Sequence, residues 1–444
     1  MTTEPFPAPT GPPAAPTGPS PALAEPSAAS PGPLSVRQGP SPVTAELRDL
    51  AIFRADLHAH PELSWQEART ADRLAGRLAA AGYEVTTGMG GHGVVGRLCR
   101  GDGVTVMLRA ELDALPVKEE TGLSYASTAT ATTLDGRTVP VSHACGHDLH
   151  LACLVGAARR LAACDDWRGT VLVIGQPAEE TLEGAAAMLA DGLYERFGVP
   201  DVALAQHVSP FPAGLIAYPE PPTAAGAELR VVVTGDGGHV GDIGRAGHVD
   251  RAVGRNPVAA VAALVHRLDQ TAFDQAIVTV GTLHAGERAN VIPTLAEAGI
   301  TVRAATEEAV TRAVARVARL AEETAGAGVI VVSRVPPGVN DPAATALVRR
   351  AHEAALGAVV TAPGGSACED FPLYGVPSVY WYVGAAPPAG LVGRPHTGTF
   401  RPDPVPTLRA GVTAMQTAAL AVLANASQFA PPSRYHGPGA VAEH

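Results

Sequence analysis

Three short apolar runs, each emptying into acidic or imidazole side chains, limit this chain to a small set of folds. Residues 104–109 are apolar almost throughout and run straight into Glu111 and Asp113. Residues 170–174 empty into Gln176-Pro177-Ala178-Glu179-Glu180, and residues 201–205 end at Gln206-His207. Continuous apolar runs of this kind read as strands buried on both faces. Polar groups just past the carboxyl ends of such strands lie where open α/β sheets bind ligands. Helical stripes fall between the runs. Leu47, Leu50, Arg54 and Leu57 share one side of a helix that Ser41-Pro42 opens and Pro61 ends. Ala71, Leu74, Ala75 and Leu78 stripe a second helix, stopped by Gly82, for which Ser64-Trp65-Gln66-Glu67 reads as a capping box. Leu151, Leu154, Val155, Ala158 and Leu161 mark a third.

A different rhythm begins near residue 222. Strands at 228–234, 276–283, 296–304 and 329–335 alternate with helices at 257–268 and 307–324 in the order β-α-β-β-α-β, the ferredoxin-like pattern. The first rhythm then resumes with a helix at 342–356, a strand at 376–383 and a closing helix at 407–424. The expected architecture is an α/β domain built from residues 43–221 and 335–426, with an inserted α+β domain at 222–334. Residues 427–444 form a C-terminal tail. Thirteen of the first 42 residues are proline, and most of the others are small. Such a segment buries too little apolar surface to offset its chain entropy, so a disordered tail is expected there. It also lacks the basic start and apolar core of a signal peptide.

Charge and composition exclude several partners. The net charge of −11 and pI of about 5.7 leave no basic footprint for nucleic acid and no polybasic patch for a membrane surface. There is no run of about 18 apolar residues, so no transmembrane helix is expected. The five cysteines, at 99, 145, 153, 164 and 368, are odd in number and irregularly spaced, which fits a reducing cytoplasm better than a disulfide framework.

The densest chemistry lies in Ser142-His143-Ala144-Cys145-Gly146-His147-Asp148-Leu149-His150, with three imidazoles, a thiol and a carboxylate in nine residues. Cys145 and His147 are two apart, so extended backbone would send both side chains to one face. The candidate metal ligands are Cys145, His147, Glu180, His207 and His396, each after a strand or in a loop. Five donors exceed the needs of one tetrahedral ion and suit two ions sharing a bridge. The mixture of sulfur, nitrogen and oxygen fits Zn, Mn, Co or Ni better than Mg or Ca. Adjacent side chains diverge in extended backbone, so one of Glu179 and Glu180 can bind metal while the other exchanges a proton with activated water. Singly, Cys145 reads as a small buried residue, a lone His as a structural one and paired Glu as a solvated face. Their coincidence at strand ends is what points to a metal site. His58 and His60 are expected to bond backbone at a helix end, and His143, His150 and Asp148 to orient the ligands from behind.

These stretches occur with others in a recognisable order: Asp56-Leu57-His58-Ala59-His60-Pro61-Glu62-Leu63-Ser64, Leu108-Arg109-Ala110-Glu111-Leu112-Asp113-Ala114-Leu115-Pro116, the run from His143 to His150, Gln176 to Glu180, Gly237-Gly238-His239, Asn290-Val291-Ile292-Pro293, Glu369-Asp370-Phe371 and Pro395-His396. Over residues 46–425 the chain resembles the metal-dependent amidohydrolases of the aminoacylase, hippurate hydrolase and indole-acetyl-amino-acid hydrolase group. The resemblance implies a mixed-sheet catalytic domain holding two divalent metals, with the inserted domain acting as a lid and as the contact of a homodimer. It implies Cys145, His147, Glu180, His207 and His396 as ligands, with Cys145 bridging, and Glu179 as general acid/base. It adds His239 as a donor to the oxyanion and Asn290 as a substrate contact, while Glu111 and Asp113 are taken as structural.

The implied reaction is hydrolysis of the amide bond of a small N-acyl amino acid. A dipeptidase or carboxypeptidase is the related alternative, and a metal-binding scaffold without turnover is the non-enzymatic one. Two departures stand out. The stretch 240–256 after His239 is longer and more charged than is usual for the group, which bears on the shape of the lid. Gly175 occupies a position that usually holds an aromatic residue, which implies looser packing behind Glu179 and Glu180.

Overall fold

The computed structural model describes residues 42–429, except 135, 240–255, 358 and 389–391. The expectations for the N-terminal tail, for 240–255 and for most of the C-terminal tail therefore lie outside the described residues. The chain opens with α1 (Pro42–Ala59) and α2 (Ala68–Ala80). Three strands, β1 (Glu84–Met89), β2 (Gly93–Arg100) and β3 (Thr105–Glu111), precede a short hairpin of β4 (Thr130–Thr132) and β5 (Thr138–Pro140). Then come α3 (His147–Ala163), β6 (Gly169–Gln176), α4 (Gly184–Ala190), α5 (Leu193–Phe197), β7 (Val202–Pro212) and β8 (Ile216–Glu220). A second group follows: β9 (Ala225–Thr234), β10 (Gly238–His239), α6 (Pro257–Asp269), β11 (Ala276–Ala285), β12 (Val291–Ile292), β13 (Leu295–Ala304), α7 (Glu307–Ala325) and β14 (Val329–Val335). The chain closes with α8 (Pro342–Leu356), β15 (Val359–Pro363), β16 (Ser378–Ala386) and α9 (Pro404–Ala424).

The first sheet is mixed and eight-stranded, in the order β1-β2-β6-β3-β7-β16-β8-β15. Its centre, β6-β3-β7-β16, is parallel, so four carboxyl ends share one edge. Burial on both faces explains why the first halves of β3, β6 and β7 are largely apolar. Val106, Leu108, Val171, Val173, Val202 and Leu204 join one core with α1, α3 and α9, while Met107, Leu172, Ile174, Ala203 and Ala205 join another on the opposite face. Helix α9 has the length and hydropathy of a membrane span, yet most of it is buried, packed against α3 and α8. It is the core helix of this layer.

The second sheet is antiparallel, β11-β13-β9-β14, with α6 and α7 on one face. That strand order matches the ferredoxin-like pattern of the sequence. Its core alternates as a one-sided sheet should: Ala227, Leu229, Val231 and Val233 face the helices, and Glu228 and Val232 face away. Helices α6, α7 and α8 are capped by Asn256, Thr306 and Asp341, whose side chains accept from Val258, Ala309 and Ala344 backbone N–H groups.

Two local expectations are corrected. Ser64 does not cap α2; its hydroxyl donates to Asp113 Oδ2 (2.7 Å), and Glu62 instead accepts from the backbone N–H of Arg69 and Thr70. Packing behind Gly175 is not loose either. A Cβ there would stand 2.3 Å from Leu74 Cδ2 and 3.0 Å from Leu112 Cδ2, so leucines already fill the space an aromatic ring would take.

Candidate metal centre

Donors from five segments converge at the shared edge of the first sheet. The ligand atoms of Cys145, His147 and His207 all lie within 4.8 Å of one another, as do those of Cys145, Glu180 and His396, and those of Asp113, His147 and Glu179. Cys145 Sγ is 3.3 Å from His207 Nε2. His147 Nε2 stands 3.7 Å from both Glu179 and Glu180, and His396 Nε2 stands 3.5 Å from Glu180.

The backbone achieves this differently from the extended geometry expected. Gly146 has φ +89°, and His147 is already the first residue of α3. A left-handed turn, not a pleat, therefore brings Cys145 and His147 together, and glycine takes that conformation without strain. Nor do Glu179 and Glu180 diverge. Ala178 at φ +49° turns the chain at the end of β6, and both carboxylates approach the same imidazole nitrogen. His207 lies inside β7 rather than at its end, in register with Tyr382 of β16. His396 also has positive φ, and its N–H is tied to Ala144 O at 2.9 Å.

Hydrogen bonds fix which nitrogen each histidine presents. His147 Nδ1 donates to the Asp113 carbonyl (2.9 Å) and His207 Nδ1 to the Val208 carbonyl (2.7 Å), so both offer Nε2 to the cluster. His150 has no lone pair to offer. Its Nδ1 donates to Glu111 (2.7 Å), and its Nε2 accepts the Val208 N–H (2.9 Å). Asp148, expected to steady a ligand, instead accepts from Arg54 Nε (2.6 Å) and His58 Nδ1 (2.9 Å). His58 thus bonds side chains, Asp148 and Glu119, and not the backbone expected, whereas His60 does bond a backbone carbonyl, that of Asp56. His143 makes no hydrogen bond to a described residue at either ring nitrogen.

The charge balance of the cluster calls for cations. Burial, reinforced by Glu180, Glu179 and Glu111, pushes the Cys145 thiol well up. Burial, with Glu369 and Glu180 beside it, likewise raises Glu179 well above the carboxylate range. Burial raises Glu180 to about 7 against the pull of His147. Burial disfavours a charge on His147, but Asp113, Glu111 and Glu180 outweigh it and hold the imidazole at about 10. Burial, with His150 adding to it, keeps His207 neutral down to about 3. His147 Nε2, Asp113 Oδ1 and Glu180 Oε1 are buried without a hydrogen-bond partner among the described residues. Unpaired buried polar atoms are costly, and a divalent pair would engage all three. The donor set fits such ions on chemistry and on placement.

Behind the cluster, Arg109 is fully buried among Glu111, Glu369, Asp370 and Gln176. The cluster opens into a cavity of about 590 Å³ whose walls include Leu182, Phe211, Tyr382, Glu228 and Arg303. His239 and Asn290 are not among its lining residues. His239 is exposed on β10, paired with Val291 of β12, and Asn290 is exposed in the turn before β12. Two residues that the sequence reading undervalued stand out. Asp113, taken as structural, sets Oδ1 3.3 Å from His147 Nδ1 in a donor group with His147 and Glu179, and Arg303, read only as part of a strand, places a guanidinium at the cavity.

Several known proteins resemble this chain in sequence or in structure. The sequence profile of Peptidase family M20/M25/M40 matches residues 107–421. The chain is 35% identical over 263 residues to a hippurate hydrolase of Campylobacter jejuni, a match covering 57% of this chain and 64% of that protein. It thus spans just under two thirds of that relative's length. It is 33% identical over 362 residues to thermostable carboxypeptidase 1 of Saccharolobus solfataricus, covering 76% and 86% of the two chains. Among solved structures it resembles the Bacillus subtilis YxeP protein, described as a dinuclear metal-binding peptidase of the M20 family. That match has a TM-score of 0.64 and 28% identity, and covers 86% of this chain and 99% of that one.

Proposed function

The chain belongs to Peptidase family M20/M25/M40, and from that premise we propose that this metal-dependent amide hydrolase cleaves N-acyl amino acids, releasing a carboxylic acid and an amino acid. Cys145, His147, Glu180, His207 and His396, with Asp113 added to the set, would hold two divalent ions of the Zn, Mn, Co or Ni class. When bound, such ions supply Lewis acidity, which acidifies water and polarises the scissile carbonyl. Glu179 takes the proton of the attacking water and returns it to the leaving amine. Arg303 receives the carboxylate of the amino acid, and Leu182, Phe211 and Tyr382 form the apolar wall for the acyl group. Residues 222–334 act as a lid and as the contact of a homodimer, and light scattering of the purified chain tests the dimer. Closing of that lid brings His239 to the oxyanion and Asn290 to the substrate.

The observation that carries this reading is the position of Glu179, buried beside the donor cluster in a cavity that also holds Arg303. Glu179→Gln should keep its metal by elemental analysis and lose about 10²–10⁴ in turnover. His239→Ala should lose about 10²–10³ in kcat. Near-normal rates in the Glu179 variant would end the assignment. A dipeptidase or carboxypeptidase is the second reading, favoured by the similarity to a thermostable carboxypeptidase. Rates on acyl amino acids against dipeptides of the same leaving residue separate the two.

A further inference from the structure

Glu228 is a cavity-lining carboxylate that the reaction does not use. It lies on the face of β9 turned away from the helices of the second sheet, half-buried, opposite Thr301 of β13 and Ser333 of β14. None of its oxygens hydrogen-bonds or ion-pairs with a described residue. Arg303, which faces Gly226 across the same pair of strands, is its diagonal neighbour on that face, at a typical spacing of about 7–8 Å. The two form no ion pair: the Arg303 guanidinium donates to Ser366 O (3.2 Å), and its charge reaches Glu228 only from a distance. Burial first, and then the nearby charge of Glu183, raises the Glu228 carboxyl above its ordinary value against the pull of Arg303. The roof of the cavity therefore carries an anchored cation and, one diagonal step away, a carboxyl group with no hydrogen bond or ion pair to a described residue.

We propose that Glu228 selects substrates bearing an ammonium group, held there while Arg303 holds their carboxylate. The proposal rests on the amide-hydrolase reading above. An apolar or anionic substituent at this point would leave the carboxylate desolvated and unpaired, whereas an alkylammonium makes a charge-assisted hydrogen bond. A site that must bond a substrate's polar group rejects analogues that lack it far more strongly than an apolar pocket rejects a missing methylene. The ammonium has two chemical sources, the side chain of a basic leaving amino acid and the free amino terminus of a dipeptide.

The test compares kcat/KM of the metal-loaded enzyme on N-acetyl-lysine, N-acetyl-norleucine and alanyl-norleucine. At least one ammonium compound should exceed N-acetyl-norleucine by about tenfold or more, and which one does so identifies the source. Glu228→Gln should bring that ratio close to one, mainly through loss on the ammonium compound, and Glu228→Arg should turn the preference towards N-acetyl-glutamate. A merely structural Glu228 would change all rates together and leave the ratio intact, which overturns the proposal. So does a wild-type enzyme that favours N-acetyl-norleucine. If no compound is turned over, the amide-hydrolase reading falls instead. Glu228 is then judged by calorimetry of lysine against norleucine on the metal-loaded protein. Tighter lysine binding that is lost in Glu228→Gln supports the assignment, and equal affinities overturn it.

Discussion

Asp113 shows how little a residue type says without its partners. Its Oδ2 accepts from the Ser64 hydroxyl and from the Glu180 N–H (2.9 Å), its carbonyl orients His147, and its Oδ1 stands 3.3 Å from His147 Nδ1. Asp113→Ala should weaken metal binding by about 10–100-fold, measured by titration of the metal-free protein. Unchanged affinity with a lowered melting temperature would make the residue structural after all. His58 gives a pH-dependent prediction. Burial opposes its charge, but Asp148 and Glu119 overcome that, and Arg54's opposing effect, and raise it to about 9. Its folded pKa lies above the unfolded value of about 6.5. Its contribution is therefore complete below about 6.5 and is lost as pH rises towards 9. It amounts to at most about 3 kcal/mol. His58→Gln should flatten that part of the stability–pH curve in urea unfolding; an unaltered slope would remove His58 from the account. Neither role was legible in the sequence. Ser64 and Asp113 are 49 positions apart, Arg54 and Asp148 94, and nothing local announces such pairs.

At the scale of elements the sequence was informative where periodicity governs. The three apolar runs became β3, β6 and β7, and the helical stripes became α1, α2 and α3, because burial on one or two faces imposes the pattern. It misled where a single backbone angle governs. Extended spacing placed Cys145 and His147 on one face, and they do meet, but through the left-handed Gly146 at the start of α3. A Cβ on Gly146 would sit 2.6 Å from Val208 Cγ2. Gly146→Ala should therefore cost about 2–4 kcal/mol, combining left-handed strain with overpacking, and should weaken metal binding as the turn opens. Chemical denaturation and metal titration measure the two effects separately. An alanine variant with wild-type stability would show that the turn can relax.

For the molecule as a whole, the donor cluster gathers acidic groups in the body of the protein whose negative charge burial and mutual repulsion suppress. Arg109 offsets part of it from behind, with Glu111, Glu369 and Asp370 around its guanidinium. The rest calls for cations. Removing metal with a chelator should lower the melting temperature, and restoring a divalent ion at about 100 times its Kd should return about 2.7 kcal/mol. A melting temperature indifferent to chelation would mean that the cluster tolerates its own repulsion.

The cavity takes its reactive donors from the first sheet and both Glu228 and Arg303 from the second. Substitutions on the open face of β9 and β13 can thus change which molecules are admitted without disturbing the atoms that cut them. Descendants of one catalyst could diversify their diet by editing a ceiling while the floor stays as it was.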